Sequence, residues 1–295
     1  MKVVIIGANG QLGVDLSHVF TAQNWSVVQL THRNIDVSLC DQVNSALASA
    51  NADLVINTAA FHKVEQCENE PVPSFAVNAI GPRNLALACQ RHNAVLVHFS
   101  TDYVFDGNRR EPYTESDLAR PLNVYGVSKL AGEGMVGLTW ERSFVVRTCG
   151  LYGVAGSSGK GGNFVETMLR KAAERNPIRV VDDQVLTPTF TGDLAHAVSE
   201  LVRTEDYGLY HVSAEGQCSW YEFARKIFEL KGLRVDLKPV STAEFPSPVR
   251  RPAYSVLSKK KLRSFGIEMP SWEEGLGRYL TARKLKTQAI KAVSS

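Results

Sequence analysis

The chain has 295 residues, 44% of them hydrophobic, with 33 lysines and arginines against 30 acidic residues. That length holds one large or two unequal domains with a full core. A net charge of +3 is too small to imply nucleic acid or an anionic membrane surface as a partner. No apolar stretch nears the length that crosses a bilayer. The five cysteines, an odd count with no CxxC pair, fit buried thiols in a reducing compartment. Met1-Lys2 runs straight into Val3–Ile6, too short for a signal peptide, so a cytoplasmic protein is expected.

In chain order, Val3–Ile6 is a branched apolar run of the kind that forms a strand buried on both faces. Leu12, Leu16, Val19 and Phe20 then recur at helical spacing, and Ser26–Leu30 and Leu54–Ile56 read as the next strands. Phe75–Cys89 predicts a helix, Val95–Phe99 a strand, Tyr125–Val136 a helix and Phe144–Val146 a fifth strand. Strands alternating with helices of this length predict an α/β fold with a doubly wound parallel sheet of the Rossmann type. After Tyr152 the composition changes. Residues 153–163 are rich in glycine and serine and predict a mobile loop, and helical periodicity resumes in Phe164–Ala173. Thr191–Leu201 predicts a helix and Tyr210–Ser213 a strand. Ser219-Trp-Tyr-Glu222 is a capping box that opens the helix Trp220–Leu230. Pro239–Pro252 is irregular, and Trp272–Leu280 begins a last helix. The basic tail, 281–295, has four lysines or arginines and no acids, and reads as disorder or a solvated helix.

Between the first strand and the first helix lies Gly7-Ala-Asn-Gly10-Gln-Leu-Gly13. In that setting the spacing predicts a dinucleotide site. Gly7 permits the turn, Gly10 lets the backbone approach a pyrophosphate, and Gly13 lets the helix pack on the sheet. The helix start at Gln11 and Leu12 offers free amides to the phosphates. The second strand ends in Leu30-Thr-His-Arg33 with no acid before Asp36. An acid there would favour a free ribose 2′-hydroxyl, whereas Arg33 suits a 2′-phosphate. NADP(H) is therefore expected, with NADH as the alternative, and Asp36 and Val37 are placed near the adenine.

Tyr125 and Lys129 are four apart on a predicted helix and share a face. An ammonium nearby would lower the tyrosine pKa and make Tyr125 a better general acid. Thr101, at the C-terminal end of a strand, is placed where open parallel sheets bind ligands. Thr101 and Tyr125 would donate to a carbonyl oxygen as hydride reaches its carbon, and Lys129 would reach the nicotinamide ribose.

At these residues the chain resembles the extended short-chain dehydrogenase/reductases, and within them the dTDP-4-dehydrorhamnose reductases. The matching stretches are Ile6–Gly13, Asn57–Ala60 with Val64-Glu65, Phe99–Gly107, Pro121–Glu133, Gly162–Phe164, Asp182–Gln184 and Arg251-Pro252. The resemblance implies NADPH-dependent reduction of the 4-keto group of a nucleotide-linked 6-deoxyhexose. It implies that Thr101, Tyr125 and Lys129 are catalytic and that Ala59, Ala60, Asn78 and Thr148 lie at the cofactor. It makes Val64, Glu65, Tyr103, Asn163 and Arg251 candidates for the nucleotide-sugar substrate. Asn163 reads equally as a helix cap, and Arg251 as a brace for the proline-bearing segment. The pair Asp102-Tyr103 stands where related dehydratases carry Asp-Glu, which suits simple reduction. Asp15 is the one candidate for a metal described in some relatives. It has no evident partners, and no metal site is expected.

The expected architecture is a cofactor domain over 1–150, with 180–204 returning to it, and a smaller substrate domain from 151–179 and 205–280. Two rival readings are a ketoreductase for another deoxysugar and a non-catalytic NADP-binding subunit like that of methionine adenosyltransferase. The oligomeric state is open between monomer and homodimer.

Overall fold

The computed structural model describes residues 1–156, 162–245 and 247–293. Residues 157–161 of the predicted mobile loop lie outside the described residues. The first half alternates strands and helices. Its strands are Lys2–Ile6 (β1), Ser26–Leu30 (β2), Leu54–Asn57 (β3), Val95–Thr101 (β4) and Ser143–Thr148 (β5). Its helices are Gln11–Ala22 (α1), Cys40–Ala50 (α2), Val64–Asn69 (α3), Pro71–Phe75 (α4), Gly81–His92 (α5) and Val124–Thr139 (α6). The second half contains Leu151–Tyr152 (β6), Phe164–Ala173 (α7), Ile178–Val181 (β7), Val185–Leu186 (β8), Thr189–Phe190 (β9), Thr191–Leu201 (α8) and Gly208–His211 (β10). It ends with Cys218–Ser219 (β11), Trp220–Leu230 (α9), Leu237–Val240 (β12), Lys260–Arg263 (α10) and Trp272–Val293 (α11).

A six-stranded sheet in the order β10-β5-β4-β3-β1-β2 organises the fold, and every pairing in it is parallel. Side chains alternate across it. Val3 and Ile5 join a core with α1 and α8, while Val4 and Ile6 join a second core with α2 and α5. The order reverses between β1 and β3, the switch point at which doubly wound sheets take their ligands. A third core holds Tyr152, Phe190, Phe223 and Trp272, and two short strands, β7 and β12, pair beside it.

Three expectations are corrected. Strand β10 pairs with β5 and closes one edge of the large sheet, so 208–211 lies with the cofactor half and not with the substrate half. Leu262, Ile267 and Met269 also pack in the α1/α8 core. Residues 178–181 pair with β12, so the returning segment begins only at α8, where Thr191 donates to Asp15 of α1. The two halves interleave because a sheet edge and an apolar helix face must be covered by whatever chain is near, at any sequence distance. The tail continues α11 to Val293, and Arg283 pairs with Glu166 through Nε–Oε1 at 2.5 Å.

The predicted helix from Phe75 is also longer and less regular. It begins as α4 and passes through a π-helical turn, Ala76–Ile80, before α5. Pro82 has no N–H to return to the Asn78 carbonyl, which breaks the α-helical ladder at that point. The freed Asn78 carbonyl faces α6, where a Cβ on Gly132 would lie 2.1 Å from it. Only glycine lets the two helices approach that closely.

Helix α6 is bound to the sheet by a buried ion pair. Arg147 of β5 donates from Nε and Nη2 to Glu133 of α6 at 2.9 and 2.6 Å, and Ser100 of β4 donates to the same carboxylate at 2.5 Å. Removing one partner would leave an uncompensated charge in a dry place. Glu133→Ala is expected to cost about 3–5 kcal/mol in urea-induced unfolding; a cost near that of a surface pair would show that the network carries little stability.

Candidate active site

The site is built where the C-terminal ends of β1, β3, β4 and β5 meet the first turn of α6. Gly7 has a positive φ of 76°, and a Cβ there would lie 2.6 Å from the Thr58 hydroxyl. A Cβ on Gly13 would meet the Gly7 carbonyl at 2.4 Å. The loop is thus pressed against the sheet, and α1 starts at Gly10 without a side-chain cap. The amides of its first turn are left for a ligand. Leu12 turns its side chain into the first core, so it can offer only its backbone. Gln11 bridges to the other half of the chain, donating to the Leu151 carbonyl and accepting from the Gly153 amide, both at 3.1 Å.

At the end of β2 the Gly7 amide donates to the Leu30 carbonyl at 2.8 Å, which holds the exposed Arg33 near the glycine loop. Asp36 accepts from the Ser38 hydroxyl and amide, bonds that lower its pKa. Val37 packs in the second core with its Cγ2 against Gly81, which leaves its backbone to face an adenine. Ala59 and Ala60 follow β3, and the Ala59 amide donates to Asn57 Oδ1 at 3.1 Å. Asn78 is engaged at both ends of its side-chain amide. Its amide group donates to the Phe61 carbonyl at 2.9 Å and to Ser128 at 3.0 Å, and its oxygen accepts from the Phe61 amide.

Thr101 and Tyr125 are brought together. Asn123 caps α6 by accepting from Gly126 at 2.8 Å, and a Cβ on Gly126 would lie 2.3 Å from the Tyr103 carbonyl. Glycine there lets the first turn of α6 sit on the 3-10 turn Asp102–Val104. The Tyr125 hydroxyl lies beside Thr101, and its ring meets the edge of Tyr103 at 5.9 Å. Thr101 also donates to Asp102 at 3.0 Å and accepts from the Tyr103 amide at 3.2 Å. Asp102 is buried and further accepts from Ser255 at 2.6 Å and Cys149 at 3.1 Å; burial raises its pKa.

Lys129 departs from expectation. Its side chain runs toward the sheet, donating to the Phe99 carbonyl at 2.5 Å with His98 Nε2 at 3.5 Å. Burial, not a neighbouring ammonium, governs Tyr125 and pushes its pKa up. Sharing a helix face did not bring the two polar ends together, because a four-carbon stem can reach past the ring to the nearest buried carbonyl. Burial likewise pushes Lys129 down to about 8.

Thr148 pairs with Thr101 in register, and its buried hydroxyl has no partner among the described residues. Glu65 and Arg251, expected to meet the substrate separately, form a salt bridge with each other, and Arg251 lies close to Tyr103. Val64 is buried at the start of α3. Asn163 is committed to structure: Oδ1 caps α7 at Glu166, while Nδ2 donates to the Gly153 carbonyl and to Tyr279. With both ends of its amide engaged, it is corrected from a substrate contact to a cap. Residues 102, 103, 184–186, 220, 252 and 255 line a narrow cleft beside Tyr103. Sequence reading gave no role to Asn57, His98 or Ser255, and used Asp102 only to set a reductase apart from a dehydratase. A histidine inside the apolar run Val95–Phe99, three residues before Thr101, was the signal available.

Residues 1–285 match the model of the RmlD substrate binding domain. The chain belongs to the dTDP-4-dehydrorhamnose reductase family. Two curated relatives illustrate its range. The spore coat polysaccharide biosynthesis protein SpsK of Bacillus subtilis strain 168 is 42% identical over 96% of this chain and 98% of its own. The dTDP-4-dehydrorhamnose reductase of Sinorhizobium fredii is 36% identical over 97% of this chain and 99% of its own. The crystal structure of dTDP-4-dehydrorhamnose reductase from Bacillus anthracis strain Ames in complex with NADP superposes with a TM-score of 0.91 at 42% identity. That match covers 95% of this chain and 99% of the other.

The position of Lys129 has a thermodynamic consequence. Its pKa is lowered from 10.5 to about 8 on folding, so the unfolded chain binds more protons between those values and stability rises with pH across that window. Relative to Lys129→Met, the wild type is expected to gain about 3 kcal/mol between pH 7 and pH 10.5. Denaturant titrations at both pH values measure it; a flat difference would mean that Lys129 is not desolvated.

Proposed function

We propose that the chain reduces the 4-keto group of a nucleotide-linked 6-deoxy-4-ketohexose with NADPH, converting dTDP-4-dehydro-L-rhamnose to dTDP-L-rhamnose. The observation that carries this reading is the contact between Thr101 and Tyr125 at the strand ends beside the glycine loop. It occurs in a chain 36% identical to a named dTDP-4-dehydrorhamnose reductase over nearly all of both lengths. The cradle fits a dinucleotide. A Cβ at Gly7 or Gly13 would collide with backbone or with Thr58, the uncapped start of α1 offers amides to a pyrophosphate, and the orphan hydroxyl of Thr148 points to a missing polar partner. Gly7, Gly10, Gln11, Leu12 and Gly13 would hold the phosphates, Arg33 the 2′-phosphate, and Ala59, Ala60 and Thr148 the nicotinamide half. When bound, NADPH supplies hydride to the carbonyl carbon.

The protein's part is to manage the oxygen. As that oxygen gains charge, Tyr125 donates to it and finally gives up its proton. Burial favours the neutral phenol before the reaction, so the proton is in place when the substrate arrives. Thr101, a hydroxyl that can rotate from Asp102, supplies a second donor. Tyr103 lines the cleft, and Val64, Glu65 and Arg251 would border its sugar-nucleotide side. The Glu65–Arg251 pair would open to give the arginine to a pyrophosphate. The kinship with SpsK supports a second reading in which the hexose is another 4-keto sugar destined for a surface polysaccharide.

Among the described residues no helix is long and apolar enough to cross a membrane. A cytoplasmic enzyme fits that finding. A homodimer would use the apolar surface of Val72, Phe75 and Ile80.

Two variants test the reading. Tyr125→Phe is expected to lower kcat about 10²–10⁴-fold while NADPH still binds, followed as NADPH absorbance with dTDP-4-dehydro-L-rhamnose; undiminished turnover would remove Tyr125 from proton transfer. Arg33→Ala is expected to raise the KM for NADPH more than that for NADH. Equal changes would place the 2′-phosphate elsewhere.

A further inference from the structure

Beneath Lys129 lie two buried polar residues that take no part in the proposed reaction. Asn57 and His98 are fully buried in adjacent strands, β3 and β4. Their hydrogen bonds fix each other's chemistry. The Ala59 amide is a donor and cannot be otherwise, so the Asn57 atom it meets is the oxygen. The other end of the amide, Nδ2, is then a donor, and it faces His98 Nδ1 at 3.2 Å. Nδ1 must accept, so the ring proton sits on Nε2. Nε2 in turn faces Lys129 Nζ at 3.5 Å.

An ammonium at that place would set one N–H donor against another. An amine would accept from His98 while still donating to the Phe99 carbonyl. Protonating the ring as well is opposed by burial and by Lys129 itself. We infer that His98, locked by Asn57 in the Nε2–H tautomer, is a positioning residue that disfavours the ammonium form of Lys129 and holds its amine against the Phe99 carbonyl.

The other groups around Lys129 and its helix do not supply this effect. Glu133, one turn along α6, favours the ammonium but is engaged by Arg147 of β5. Asp102 and Tyr103 of the 3-10 turn and Cys67 of α3 act on Tyr125. Asn78 of the π-helical turn and Ser128 of α6 are uncharged and bonded to each other. With burial acting in the same direction, Lys129 changes charge near pH 8, where an ordinary lysine does so near pH ~10.4.

The inference builds on the proposed reduction, but its test does not need turnover. In the full chain labelled with 15N-histidine, His98 can be assigned among the seven histidines by its absence in His98→Gln. It is expected as the neutral Nε2–H tautomer from pH 6 to 9, with its Nε2 resonance moving at a midpoint near that of Lys129. In Asn57→Asp one carboxylate oxygen still accepts from Ala59 and the other accepts from the ring. The ring is then expected to switch to Nδ1–H, present a lone pair to the ammonium, and raise the midpoint by about one unit or more. The pH profile of kcat is expected to move with it. An Nδ1–H or doubly protonated His98 in the wild type, or a midpoint unmoved in Asn57→Asp, would overturn the inference. If Asn57→Asp does not fold, the wild-type tautomer and midpoint decide. The expected spectra without turnover of the sugar nucleotide would sink the proposed function and leave the role of His98 standing.

Discussion

The geometry of the candidate site depends on one buried ion pair. Glu133 and Arg147 are both nearly inaccessible, with side-chain exposures of 8% and 5%. Taking two charges out of water is costly, and the pair survives only because its remaining atoms are occupied. Ser100 donates to the carboxylate, and the Arg147 guanidinium lies 5.1 Å from the centre of the Phe105 ring and 3.5 Å from His211. Burial and the arginine hold His211 down to about 3, so the histidine stays neutral beside the cation. The geometry follows directly. Ser100 precedes Thr101, and Glu133 lies one turn beyond Lys129 and two beyond Tyr125. Joining the first pair to the second sets the register of α6 against β4. An apolar contact could press helix to sheet as firmly, but it could slide, whereas a bidentate pair with a third donor fits one register.

Proline and glycine complete the placement. Pro82 ends the α-helical ladder and turns the Asn78 carbonyl outward, and Gly132 leaves room for it. The side chain of Asn78 meanwhile ties the loop after β3 to Ser128 on α6. The two loops that would flank a nicotinamide, after β3 and after β4, are thereby fixed to the same helix that carries Tyr125. Asn57 serves the same end from below, bonding the Ala59 amide above and the histidine under Lys129.

Much of this was legible in the sequence. A short branched run, three glycines and an amphipathic helix specify β1, the loop and α1 almost without context, because each residue acts on its immediate neighbours. The capping box at Ser219 was legible for the same reason, and both of its bonds are present. What the sequence hid depends on distant partners. The pairing of β10 with β5 and the packing of Met269 against α1 and α8 come from chain far beyond the first sheet. Asn163 follows a glycine-rich stretch, and local pattern could not decide between a cap and a ligand. Its Oδ1 is taken by the nearby Glu166 amide, and its Nδ2 is shared between Gly153 and Tyr279, the latter more than a hundred residues on. Lys129 was misread for a different reason. Spacing on a helix gives the face of a side chain, not which of several buried acceptors its flexible stem will choose.

The interleaving of the two halves bears on how the molecule is made. Until residues 208–211 leave the ribosome, strand β5 is an open sheet edge, and until 262–269 follow, the face of the sheet under α1 and α8 is incompletely covered. A nascent chain bearing only the dinucleotide half would expose a flat, apolar parallel sheet, the kind of surface that pairs with other chains. Contacts of such sequence separation also form slowly. The protein is therefore expected to reach its native state only after synthesis is nearly complete, and a fragment cut after β5 makes a poor independent domain although it carries the whole glycine loop.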